Sequence, residues 1–478
     1  MTFVRFKLFG KQEYAYSVTG KWNPVTKKVV QKSEYLGVVV DKEKKIFRKP
    51  LEEKMKAARE EKEQFIVDFG DSFLLHSFFR NTNFISLLEK SFGQNSGMLF
   101  VLICYRLCNR SAMRLAQTWL DGSFIKYLCK DVNLSSQRIS DFFSEIGEEK
   151  TYRAFFKNYF ASVDHSPQSI VLDITALQNQ IDMPLTVWGY HDEQIDKQIK
   201  LLLAVDKNSK MPLFFRYLPG SIADVSSLKT TINELKMHNI ANYCSIMDAG
   251  FFSEDNLVML QKEKINFIIR LPAGRLLYKQ LINEQMYDLE QTKHAVRYGK
   301  RALYIKKINT HIFQQNVFVY IIQDPERKGR ETTKTLLQFV DEKDANQDID
   351  SVLKTRGIMM LISSFDVDTK EILSYYYARQ AAEQLFNYAK EDLKILPLRV
   401  HKEESLRGYL LYIFATLIAH TQIRKSLTAK YTVEEAMLAL RNIKAKIYEN
   451  QAIITEPTKI QKQILEQLNI IVPNTAGI

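Results

Sequence analysis

At Ser169 the hydrophobic period of the chain changes, and no other feature constrains its fold as much. From there short apolar runs alternate with helical patterns. Ile170-Val171-Leu172, Ile199 to Val205 and Leu213-Phe214-Phe215 read as strands, followed by a helix near Ser226 to Met237, a strand at Tyr243 to Met247, a helix near Ser253 to Lys262 and a strand at Ile265 to Leu271. Strands interleaved with helices build a mixed α/β sheet. The pattern resumes with a strand from Gly357 to Ile362, then a long helix from about Thr369 to Leu393 and helices from Glu403 to Leu427 and Val433 to Glu449.

The flanking segments read differently. Between Ala273 and Lys354, β-like runs (Ala302 to Ile308, Asn316 to Ile322) are broken by polar loops such as Asp324 to Thr333, which predicts an inserted β-rich subdomain. Amphipathic segments from about Phe84 to Phe160 contain almost no Pro or Gly and predict a helical region, preceded by a charged helical stretch from Leu51 to about Phe65. Residues 1 to 50 carry 12 Lys/Arg against 4 Asp/Glu, with strand-like runs such as Tyr35 to Val40. The expected organisation is a basic N-terminal module (1–66), a helical region (67–165), an α/β core (166–272 and 355–427), a β-rich insertion (273–354) and a C-terminal helical region (428–478). No internal repeat of fixed period is present.

Composition limits the function classes. The 478 residues are 46% hydrophobic with only 17 Gly and 11 Pro, which excludes disordered, collagen-like and linker-rich architectures. A formal net charge of +12 favours a polyanionic partner, with nucleic acid first. Two thirds of that surplus lies in the first fifty residues, which marks them as a candidate DNA-binding module. Cys104, Cys108, Cys129 and Cys244 lack the paired spacing of a zinc site and are too few for a disulfide framework, which suits a reducing compartment. The N-terminus is too charged for a signal peptide, and the longest apolar run, Tyr409 to Ala419, is too short to span a bilayer. The expectation is a soluble cytoplasmic protein with no membrane partner.

The segment from Tyr376 to Lys390 carries the chemistry. At about 100° per residue, Tyr376, Arg379, Glu383 and Lys390 share an arc of roughly 60°, with Asn387 and Lys394 beside them. On an arbitrary helix such a face is solvated, and Arg379 with Glu383 is an ordinary i,i+4 ion pair. Two further carboxylates argue against that. Asp173 follows the apolar run Ser169 to Leu172 and Asp248 ends the run Tyr243 to Met247, so each belongs on or just past a strand, where α/β folds place their sites. Oxygen ligands without Cys or His select Mg²⁺ or Mn²⁺, and two such ions can drive an in-line phosphoryl displacement. Asp224 and Asp164 are also carboxylates, but the first reads as a helix N-terminal residue and the second lies outside the strand; His191 and His401 carry no catalytic signal.

The spacing Tyr376-x2-Arg379-x3-Glu383-x6-Lys390 resembles the YREK signature of DDE transposases from bacterial insertion sequences, in the branch with a β-rich insertion between the second Asp and the Glu. Asp173-Ile174-Thr175 resembles the first-Asp motif of that family, Met247 to Phe251 the second, and Pro219 to Asp224 the loop between them; the resemblance spans about Ile170 to Leu410. It implies an RNase H-like catalytic core with Asp173, Asp248 and Glu383 as the metal-binding triad. Tyr376, Arg379, Lys390 and the adjacent Lys394 would contact DNA phosphates. The implied activity is Mg²⁺-dependent hydrolysis at the element's ends followed by 3′-hydroxyl strand transfer into target DNA, by at least a homodimer and in a bacterial, nucleoid-associated setting. An RNase H-like nuclease and a non-cleaving DNA-binding descendant are the alternatives. Relatives stack a flipped base on an insertion aromatic, often Trp; here no Trp lies within 273 to 354, leaving Tyr298, Tyr304, Phe313, Phe318 or Tyr320.

Overall fold

The computed structural model describes residues 2–10, 12–23, 28–48, 65–163, 167–179, 181–183, 185–191, 194–222, 224–342, 349–396, 398 and 400–478. The helix expected between Leu51 and Phe65 falls outside these up to residue 64, as does Asp164. The chain divides into two units, one of residues 1–69, 443–457 and 472–478, the other of 70–442 and 458–471.

In the first unit the basic N-terminal segment forms an antiparallel meander of β1 (Thr2–Phe9), β2 (Gln12–Asn23), β3 (Lys28–Asp41) and β4 (Ile46–Arg48). Ala15 and Val18 of β2 are buried, whereas Phe3, Leu8, Phe9, Val29, Val30 and Val40 are exposed. β5 (Phe65–Asp68) starts a second sheet, pairing with Lys444–Ile447, which pairs with Gln451–Ile454 and that in turn with Thr475–Gly477. The expected helix from Val433 to Glu449 therefore ends at Arg441, and the C-terminal region is not simply helical. Lys444 to Ile447 alternates half-buried Lys with buried Ala445 and Ile447, a two-residue period that a half-buried strand satisfies.

The alternation that begins at Ser169 becomes one ten-stranded sheet in the second unit. Its strands are β6 (Ser169–Gln178), β7 (Val187–His191), β8 (Gln194–Asp206), β9 (Pro212–Pro219), β10 (Cys244–Met247), β11 (Asn266–Arg270), β12 (Ala295–Tyr298), β13 (Arg301–Ile312), β14 (Gln315–Gln323) and β15 (Ile358–Ser363). The order is β12-β13-β14-β15-β11-β10-β6-β8-β7, with β9 also on β8; β10 runs parallel to β6 and β11, and the other pairs are antiparallel. Here the inserted segment departs from expectation. Its strands continue the central sheet, because β14 pairs with β15 from Phe318↔Ser363 to Gln323↔Ile358. The polar loop expected from Asp324 to Thr333 is instead the start of the Pro325–Glu342 helix. Asp324 Oδ1 accepts the amides of Glu326 and Arg327 (3.1 Å each), and Pro325 occupies the first helical position, where its missing N–H costs nothing.

Two buried helices anchor the helical region. Met98 to Cys108 of the Ser96–Cys108 helix are all buried, which accounts for Cys104 and Cys108 as core thiols whose pKa burial pushes up. The Glu403–Ser426 helix contains the Tyr409 to Ala419 run and is buried along most of that length. A Cβ on Gly408 would strike the Phe143 carbonyl, and one on Gly147 the Glu404 carbonyl, so this pair of glycines lets the Ser136–Ile146 helix close on the long helix. Among the described residues no helix is long and apolar enough to cross a membrane.

Candidate active site

The site is built where β6 and β10 lie side by side. Their parallel register matches Met247 with Leu172, so the next step sets Asp248 beside Asp173, one strand spacing of about 4.8 Å away. Asp173 lies within β6 at 9% exposure, while Asp248 follows the last residue of β10. The third carboxylate, Glu383, comes from the Gln380–Asn387 helix, which packs on β6 and β8 and leaves Glu383 exposed.

The segment expected as one long α-helix is irregular in a way that sets the geometry. It runs as an α-helix Ile372–Tyr376, a 3₁₀ turn Tyr377–Arg379, an α-helix Gln380–Asn387 and a π turn Tyr388–Asp392. A tightened turn brings side chains three apart into line. Arg379 Nη1 accordingly donates to the Tyr376 hydroxyl (3.1 Å), and that hydroxyl donates to Asp248 Oδ1 (2.8 Å). Downstream, Lys390 in the π turn donates to Thr175 Oγ1 of β6 (2.7 Å), two residues from Asp173 on the same strand face. Lys394 closes the segment in the left-handed region (φ 48°) and is exposed.

Arg379 holds the centre. Its guanidinium lies 3.5 Å from Asp173, 3.2 Å from Asp248 and 2.9 Å from Glu383, so one cation bridges all three carboxylates. Its Nε is buried and has no hydrogen-bond partner among the described residues. Burial pushes the Asp173 carboxyl up to about 6; the Arg379 charge opposes this, and the Asp248 and Glu383 charges reinforce it. Burial likewise raises Tyr376 to about 12, helped by Asp248. Burial alone would lower the Arg379 pKa, but Asp173 and Asp248 outweigh it and hold the guanidinium firmly protonated.

Among the described residues no three Asp, Glu, His or Cys side chains close on one point as metal ligands. Arg379 stands between the carboxylates instead. The donor set nonetheless fits a hard divalent cation: three carboxylates without His or Cys, and a negative cluster that a single guanidinium leaves under-neutralised.

The supporting contacts were not legible in the sequence. Asn256 donates to the carbonyls of Phe251 (2.8 Å) and Val225 (3.0 Å), tying the turn after Asp248 to the Asp224–Met237 helix. Asp224 sits in the first turn of that helix, as its sequence context predicts, and also pairs with Lys200 (2.8 Å). A Cβ on Gly250 would come within 2.7 Å of Asp224 Oδ2, so the turn packs closely against the start of that helix. Of the insertion aromatics, Tyr320 is fully buried and bonds Val367, which removes it as a base-stacking surface. Tyr298 lies 5.5 Å from Tyr377 of the 3₁₀ turn, and Phe313 lies 6.1 Å from Phe252 near Asp248.

A mixed sheet that gathers three carboxylates around one guanidinium defines an α/β protein with an acidic site. A family model described as the transposase DDE domain matches residues 166–419, more than half of the chain, and the chain belongs to that family. No curated protein matches the chain in sequence. Among solved structures, the piggyBac transposase synaptic complex with hairpin DNA is similar at 12% identity and a TM-score of 0.40, covering 78% of this chain and 70% of that one. A likeness at that level carries no argument about this chain.

Proposed function

We propose that this protein is a transposase that hydrolyses phosphodiester bonds at the ends of its own element and joins the freed 3′-hydroxyls to target DNA. The observation that carries this reading is the convergence of Asp173, Asp248 and Glu383 on one guanidinium within the matched domain. Asp173, Asp248 and Glu383 would hold Mg²⁺ or Mn²⁺ on an RNase H-like core, and two such ions would supply an activated water or hydroxyl and neutralise the leaving oxygen. Arg379 would exchange its carboxylate partners for a backbone phosphate, since a planar guanidinium binds either group through paired hydrogen bonds. Tyr376 holds Asp248 in place through its hydroxyl, and Lys390, anchored at Thr175, and Lys394 would extend the phosphate contacts along the strand. The spacing of these residues supports the insertion-sequence branch with the Tyr-Arg-Glu-Lys signature. Double-stranded DNA would be the partner, as element ends and target, and pairing two ends calls for a homodimer.

Glu383→Gln is expected to abolish Mg²⁺-dependent cleavage of the element's ends while retaining end binding in a mobility-shift assay. Cleavage by that variant at the wild-type rate overturns the triad assignment.

A further inference from the structure

Arg106 is a buried cation without an anion. It lies in the Ser96–Cys108 helix at 4% exposure, donates from Nε to the Tyr412 hydroxyl (3.2 Å) and from Nη1 to the Ser111 carbonyl (3.3 Å), and pairs with no carboxylate among the described residues. Nη2 makes no bond to a described residue. A buried guanidinium left unpaired is costly, which gives its retention a reason to be sought.

Arg106 lines a cavity of about 470 Å³ between its own helix, the Ser136–Ile146 helix and the segment that follows the π turn. Arg114 and Lys394 also line it, both exposed and in no ion pair among the described residues. Arg110 contributes no free charge, being paired with Asp392 (2.6 Å) and Glu434 (3.4 Å). The opposite lining is apolar and aromatic: Ile139, Phe143 and Tyr409, the last two rings packed edge to face at 5.5 Å. Three cations beside an aromatic wall suit a ligand with an anionic end and a flat apolar body. The volume falls within the range of about 300–1,000 Å³ typical of small-ligand sites and admits one nucleotide, not a duplex.

We propose that this cavity binds a single 5′-nucleotide unit, its phosphate on Arg106, Arg114 and Lys394 and its base against Tyr409 and Phe143. Two sources share that chemistry: a free mononucleotide, and an unstacked nucleotide of a DNA strand. The second rests on the transposase reading, because Lys394, which that reading places on DNA phosphates with Arg379 and Lys390, also lines this cavity.

Titration calorimetry on the full chain, without divalent metal, tests the site with deoxyadenosine 5′-monophosphate, deoxyadenosine and inorganic phosphate. The monophosphate is expected to bind at least about tenfold more tightly than either part, and Arg114→Ala and Lys394→Ala each to weaken it about fivefold. Arg106→Met should remove binding; because it alters the core, the two surface variants decide the matter if it unfolds. No binding to the wild type, phosphate bound as tightly as the nucleotide, or surface variants that bind like the wild type each overturn the proposal. A duplex carrying one unpaired 2-aminopurine separates the sources. A fluorescence change that Arg114→Ala abolishes identifies a DNA strand, and one that it leaves intact while mononucleotide affinity falls identifies the free nucleotide. Neither measurement involves cleavage, so a nucleotide-binding protein that never cuts DNA overturns the transposase reading alone.

Discussion

Arg379 stands where the proposed function would set a divalent cation, so the two would compete for the same carboxylates. One positive charge bridges three carboxylates, one of them buried and pushed up to about 6 by that burial and by its neighbours. Arg379→Gln is therefore expected to bind Mn²⁺ at least as tightly as the wild type, since the competing cation is gone. The same variant should bind DNA more weakly, with a salt slope shallower by about one phosphate contact. Unchanged salt dependence would mean that Arg379 serves the carboxylates alone. Tyr376, Arg379, Glu383 and Lys390 were legible as one set because their spacing is local and periodic. Thr175 and Lys200 were not, because each acts through a partner 24 or more residues away in the chain, and Asn256 was not because it ties Phe251 to Val225, 31 residues before it. Nothing in a linear sequence marks such a pairing.

At the scale of elements, irregularity does the positioning. The 3₁₀ turn lines up Tyr376 with Arg379, and the π turn turns Lys390 onto β6; neither follows from a uniform 100° step. The π turn is backed by His420, whose ring stacks on Tyr388 at 3.7 Å. Burial, with Arg424 and Arg110 nearby, lowers the His420 pKa from 6.5 to about 4; Glu434, at 4.0 Å and shared with Arg110, only partly offsets them. The unfolded chain thus takes up the proton first, so this contribution to stability is complete above about pH 6.5 and is lost as pH falls toward 4. The urea midpoint should be lower at about pH 5 than at about pH 7.5 in the wild type, and the difference should be much smaller in His420→Phe. Helix closure is equally specific. Gly408→Ala forces a methyl into the Phe143 carbonyl and should cost about 1–3 kcal/mol or more, read as a lowered thermal midpoint. The stretch from Asp324 to Thr333 reads as a loop because it is polar, whereas Asp324 and Pro325 together cap the start of the Pro325–Glu342 helix.

At the scale of the whole molecule, the insertion is a structural part of the central sheet. β15 is buried along all six residues and lies between β11 and β14. Excising residues 273–354 would leave it an unpaired apolar edge, and such edges aggregate. The excised protein is expected in the insoluble fraction; a soluble, folded product would show that the insertion is an independent body. The alternation after Ser169 determined the α/β class by itself, and the spacing of the Tyr376 to Lys390 segment with the two strand-end aspartates singled out the three carboxylates that meet at Arg379, because period and spacing are local properties of a chain. Only the tertiary structure decided that β14 pairs with β15, that Lys444 to Ile447 is a strand, that Arg379 stands among the acids and that Arg106 faces a cavity. Those outcomes depend on which distant segments share hydrogen bonds and buried volume, and that choice is settled by the fold as a whole.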